Sequence, residues 1–117
     1  GVGVIPWSPL ARGRLTRDWD NTTSRSETDE FGKGLYKPED QVIVERVAEV
    51  ALELGAPRAQ VALAWVLSKS FVTSPIVGAT KEAHIDDAVA ACDIQLSGEH
   101  IARLEEPYTP HESVGFL

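Results

Sequence analysis

Two short apolar runs constrain this chain more than anything else in it. The first lies in Gly1–Arg14, Gly-Val-Gly-Val-Ile-Pro-Trp-Ser-Pro-Leu-Ala-Arg-Gly-Arg. A β-branched stretch breaks there at Pro6 and becomes a small-residue loop with a hydroxyl and two arginines. The second, Thr73-Ser-Pro-Ile-Val-Gly-Ala-Thr-Lys81, repeats the plan: short apolar strand, glycine turn, hydroxyl, cation, helix. The first run lacks polar alternation, which suits a strand covered on both faces. Helical patterns fill the interval. A strand, a helical crossover and a second strand read as a parallel βαβ unit, right-handed by default. The expected fold is α/β, with two parallel strands and four helices.

The intervening pattern sets the boundaries. Residues 1–15 are the strand and its loop, and 16–37 are a polar, turn-rich loop. A loop this long is usually functional or mobile. Trp19, Phe31 and Tyr36 punctuate it, so folding over something and lying loose on the surface weigh equally. Residues 38–69 form a helix pair. Pro38-Glu39-Asp40 suits a first turn, and Ile43, Val47, Val50, Ala51 and Leu54 share one face. Gly55 ends that helix and Pro57 opens the next, which contains Trp65 as a core residue. Residues 71–92 hold the second strand, a loop and a helix capped by Thr80, with the stripe Ile85, Ala88, Val89 and Cys92. Residues 97–106 form the last helix, capped by Ser97 with a Leu96–Ile101 staple. Residues 107–117 are a tail containing His111 and Phe116, expected to pack or move rather than catalyse.

Two parallel strands alone leave exposed edges. The pattern asks for more strands, and the opening on an apolar strand suggests a piece of something longer. The missing strands would come from an N-terminal portion or from self-association.

Composition excludes several classes. The net charge of −7 over 117 residues disfavours nonspecific binding to nucleic acid or anionic membrane. No apolar run reaches the length of a membrane span, a single cysteine permits no intrachain disulfide, and no metal site is expected. A cytoplasmic setting is the default. Residues 47–67 have the spacing of a helix-turn-helix reader, but the second helix offers only Arg58, Gln60 and Lys69 as contacts. A reader needs a basic, polar helix.

Against this acidic background the cluster Arg12, Arg14 and Arg17 stands out. The first loop offers amides at Ser8, Leu10 and Ala11, a hydroxyl and a guanidinium. Gly78-Ala79-Thr80-Lys81 offers amides at a helix N-terminus, where the dipole favours negative charge. Two such loops at the ends of successive parallel strands suit a phosphorylated ligand. Arg14 and Arg17 could equally be solvated, and His84 and Asp87, one helical turn apart, could be a surface pair.

The segment Gly1–Leu15 closely resembles the seventh-strand segment of aldo-keto reductases. Val61-Ala-Leu-Ala-Trp-Val-Leu67, Pro75-Ile-Val-Gly-Ala-Thr80 and Glu106-Pro-Tyr-Thr-Pro-His111 are similar to the same family in the same order. The resemblance implies the C-terminal part of a (β/α)8 TIM barrel, a partial barrel that holds strands seven and eight. It implies an oxidoreductase that reduces aldehydes or ketones with NADP(H). It places Trp7 against the nicotinamide and Ser8, Leu10 and Arg12 along the pyrophosphate. It places Gly78, Thr80, Lys81, His84 and Asp87 around the adenosine and its 2′-phosphate. Three positions depart from the family pattern. His84 stands where Gln or Arg is common, Asp87 where Glu is common, and Ala88 where an Asn normally bonds the adenine. The family's catalytic Asp, Tyr, Lys and His precede this segment. Tyr36, Tyr108, His84, His100 and His111 do not occupy those motifs, so no catalytic residue is expected here and the chain alone is expected to be inactive.

Overall fold

Buried side chains concentrate on one half of the molecule, and the helices explain why. The computed structural model describes residues 1–113, apart from the side chain of Arg25; Phe116 lies outside the described residues. Helix α3 (Gln41–Leu54) follows a 3₁₀ turn at Pro38–Asp40. It buries Val44, Val47, Val50 and Ala51, a stripe one helical face wide. It stops at Gly55, whose φ of 63° is the left-handed conformation that a non-glycine residue enters at a cost. The Ala56 amide then returns to the Ala51 carbonyl at 3.1 Å. Helix α4 (Arg58–Leu67) buries four successive residues, Val61, Ala62, Leu63 and Ala64. Four in a row reach round most of the circumference, so α4 is the most enclosed helix of the described residues.

Helix α6 (Gly98–Glu105) packs on α3. Its start is the expected capping box. Ser97 Oγ accepts from the His100 amide at 3.1 Å, and His100 Nδ1 accepts from the Ser97 amide at 3.2 Å. Val47, Val50, Ala51, Val61 and Leu104 form the core, with Leu15, Leu54, Trp65 and Leu96 packed on its rim. On the surface Arg103 grips Glu53 at 2.7 Å and Glu49 at 3.2 Å, tying α6 to α3. Trp65 is half-buried rather than sealed in. Its indole N–H donates to Glu105 at 2.9 Å, and Lys69 covers its ring at 4.8 Å.

The other half differs from expectation. The two apolar runs do lie alongside each other in parallel, but they meet at one bridge, Trp7 with Ile76. Neither forms a longer strand among the described residues. Proline explains this. The Ile76 amide donates to the Pro6 carbonyl at 2.8 Å, yet Pro6 has no N–H to return to the second run. The amides of Thr73 and Ser74 converge on one acceptor, the Val4 carbonyl, at 2.8 and 3.4 Å, so the register slips beside Pro75. Nor is the first run covered on both faces, since Val2, Val4 and Ile5 are all exposed.

Helix α5 (Glu82–Ala91) packs on α4 through its alanine side. Its larger apolar residues face out: Ile85 is 56% and Val89 66% exposed, and Cys92 is exposed rather than a small core residue. Thr80 does not cap it. Lys81 occupies that position without a side-chain bond, and the Thr80 amide donates to His84 Nδ1 at 3.3 Å. No single helix among the described residues is long and apolar enough to cross a membrane; the bent pair α3–α4 has the length but forms the interior.

Candidate functional site

The Trp7–Ile76 bridge places the ends of both apolar runs side by side, so the loops beginning at Ser8 and at Gly78 leave from one edge. The first loop is tightly wound. Ser8, Ala11 and Arg12 all have positive φ, at 55°, 51° and 56°. Non-glycine residues rarely adopt that conformation, and it recurs where a backbone must present its amides in one direction. The Ala11 amide is already spent on the Ser8 carbonyl at 2.9 Å, and the Gly13 amide on the Leu10 carbonyl at 3.1 Å. Of the three amides expected to face an anion, the structure therefore gives Ala11 another partner. Trp7 is 54% exposed at the mouth of this loop.

The three arginines are half-buried, and each has a partner within the chain. Arg12 Nε pairs with Asp29 Oδ2, and its guanidinium lies 5.6 Å from the Phe31 ring centre. Arg14 stacks 4.7 Å from Trp19 and 6.0 Å from Tyr36, and donates to the Trp19 carbonyl at 3.2 Å. Arg17 donates to the Asn21 carbonyl at 2.9 Å. Hydrogen bonding to Asp29 raises the Arg12 pKa, while burial and then the neighbouring charge of Arg14 lower that of Arg17. Burial raises the Tyr36 phenol. The long loop thus folds over the arginines of the first loop.

That loop is built from two short helical turns, α1 (Ser24–Thr28) and α2 (Glu30–Lys33). Thr23 and Ser26 form a capping box on α1, and Asp29 Oδ1 accepts from the Gly32 amide at 2.9 Å. Asp18 pairs with Arg58 at 2.7 Å and anchors the loop to the start of α4. At its far end Asp40 accepts from the Lys37 amide at 2.9 Å and lies 3.0 Å from His111 Nε2. The sequence signal for this arrangement was the spacing of Trp19, Phe31 and Tyr36. The Arg12–Asp29 and Asp18–Arg58 pairings carried none, because their partners are distant in the chain.

At the second loop Gly78, Thr80, Lys81 and His84 are exposed. His84 and Asp87 do not act as a surface pair. His84 accepts from the Thr80 amide, whereas half-buried Asp87 accepts from Gln60 Nε2 at 3.0 Å and links α5 to α4. Among the described residues no cluster of His, Cys, Asp or Glu could hold a metal ion. An apolar cavity of about 440 Å³ lies between α3, α4 and α6, lined by Pro9, Leu15, Val47, Trp65, Leu104 and others. Its one charged lining residue, Glu105, is held by Trp65 and Lys69.

The chain is 42% identical over 115 residues to versiconal hemiacetal acetate reductase of Aspergillus parasiticus, covering 94% of this chain and 33% of that protein. It is 39% identical over 120 residues to an aldo-keto reductase of Metarhizium robertsii, covering 98% of this chain and 32% of that protein. A putative aryl-alcohol dehydrogenase of Schizosaccharomyces pombe is 48% identical over 118 residues, covering 94% of this chain and 32% of that protein. The chain spans about a third of the length of these curated relatives. The sequence model of the Aldo/keto reductase family matches residues 1–108, so the two-loop edge and the helices behind it are those of a chain that belongs to the aldo/keto reductase family.

Proposed function

We propose that this chain is the NADP(H)-binding end of an oxidoreductase that reduces aldehydes or ketones to alcohols. The observation that carries the reading is the Trp7–Ile76 bridge, because it brings two anion-suited loops to one edge. The donor set fits the cofactor. An exposed indole at Trp7 offers a flat apolar face to a nicotinamide ring. Ser8, Leu10 and Arg12 line the pyrophosphate. Gly78, Thr80 and Lys81 sit where α5 begins, and the exposed Lys81 ammonium favours a 2′-phosphate. His84 and Asp87 border the adenosine. When bound, the cofactor supplies the hydride; these residues bind and orient it.

The catalytic groups, in this reading, belong to the part of the relatives this chain does not span. In this reading residues 1–117 are the seventh- and eighth-strand end of a (β/α)8 barrel in a cytoplasmic enzyme with a small carbonyl substrate. The exposed Val2, Val4, Ile5 and Ile76 are then the seam against the N-terminal strands. The same exposed seam supports a second reading, in which the chain associates with its own copies as a structural unit and binds no cofactor.

NADPH titrated by its fluorescence, with intact mass and oligomeric state read from the same sample, separates these. Saturable binding, weaker for NADH, with no turnover of a reactive aldehyde is the expected result. An oligomer that binds neither nucleotide overturns the cofactor reading in favour of the structural one. Turnover by the pure chain would overturn the assignment of the catalytic groups to the absent portion.

A further inference from the structure

The segment 18–36 closes on the guanidinium that the pyrophosphate reading requires. Arg12 and Asp29 are both largely covered, at 27% and 17% side-chain exposure. Gly32 is buried beside them, and a Cβ there would stand 2.4 Å from Asp29 Oδ2 and 3.0 Å from Arg12 Nε. Glycine is what lets the loop come so near. Phe31 covers the guanidinium from one side, and the Asp29 carboxylate is held in place by the Gly32 amide. A carboxylate and a phosphate compete for the same planar fork of guanidinium donors.

We propose that Asp29 is a built-in competitor for phosphate at Arg12, so that 18–36 is a clasp that a pyrophosphate-class anion must displace before it gains the guanidinium. The proposal rests on the cofactor reading of the first loop. A conformer in which Arg12 is taken lowers the apparent affinity for the anion in proportion to its population. The clasp thus sets a threshold: a ligand with two phosphates in reach of the loop displaces Asp29, and a weakly charged one does not.

Asp29→Asn tests this, because it removes the charge but keeps an oxygen for the Gly32 amide. Asp20→Asn is the control, since it removes an exposed charge from the same loop and leaves the Asp18–Arg58 anchor in place. NADPH is titrated by fluorescence into the wild-type chain and both variants, with the helical circular dichroism signal confirming that each is folded. Asp29→Asn is expected to bind about fivefold more tightly, and Asp20→Asn like wild type. Trypsin supplies a readout independent of binding. The bond after Arg12 should be cut faster in Asp29→Asn, and inorganic pyrophosphate should speed cleavage after Lys33 in the wild type. Equal NADPH affinity in wild type and Asp29→Asn overturns the competitor while leaving the cofactor reading intact. A matching gain in Asp20→Asn also overturns it, because loss of general repulsion would then explain the effect. Failure of all three chains to bind NADPH removes the cofactor reading and the competitor with it.

Discussion

The α3–α4–α6 side and the side formed by the two apolar runs with α5 are similar in residue type and opposite in outcome. Val50 and Val61 are fully buried, whereas Val89 is 66% exposed and Val2 94%. Valine, isoleucine and alanine supply both sides. The difference lies in the availability of a partner. Helices α3, α4 and α6 pack on one another within the chain: Gly55 ends α3, Ser97 caps α6, and Arg103 ties α6 to Glu49 and Glu53 of α3. The two runs have one neighbour each, and proline halts the ladder after one bridge. An apolar stripe therefore records that a face is meant to be covered, not what covers it.

The sharpest way to break this contrast is Leu104→Ala. Leu104 is 8% exposed and lies in the central cluster. Its truncation should cost about 2–4 kcal/mol in urea unfolding; a cost below about 1 kcal/mol would mean that the helical side is no better packed than the open one. Ser97→Ala removes the side-chain half of the α6 capping box and should cost about 1 kcal/mol.

The helix pattern was legible because it is local. The Ser97 cap, the Gly55 stop and the Val47–Val50–Ala51 face depend on neighbours within a turn or two. The family, too, could be read from contiguous segments. What failed to show was tertiary. The stripe Ile85, Ala88, Val89 and Cys92 is a clean helical period, yet α5 turns its alanine side to α4 and leaves Ile85 and Val89 outside. Arg12 was legible as a cation near an anion-suited loop, but its engagement with Asp29, 17 residues away, was not. The spacing of His84 and Asp87 suggested a pair, whereas Asp87 answers Gln60 from α4.

Acid sharpens the comparison, because the ion pairs that lock the helical side are what it removes. Hydrogen bonding from Arg103 holds Glu53 below the ordinary value of 4.5, and hydrogen bonds from Lys69 and Trp65 do the same for Glu105. The native state therefore prefers both carboxylates charged. The stability they lend is complete above pH 4.5 and is lost as pH falls through the lowered native values. Thermal unfolding followed from pH 6 downward should show that loss, and Arg103→Gln should flatten it. An unchanged acid limb in Arg103→Gln would remove the α3–α6 clamp from the account.

The smallest effect is expected on the open side. Val89→Ser should change unfolding free energy by no more than about 0.5 kcal/mol, while reducing self-association measured by light scattering. A cost like that of Leu104→Ala would show that α5 is covered within the chain.

Amide hydrogen exchange, read by mass spectrometry with and without NADPH, tests the two-sided account most directly. Segments 44–54, 61–67 and 101–105 should exchange slowly in both samples. Segments 2–8 and 72–81 should exchange fast alone and slow markedly when NADPH is added, because the cofactor bridges the two loop ends. Equal protection of all five segments without NADPH, and no change on its addition, would contradict both the unfinished edge and its proposed role in holding the cofactor.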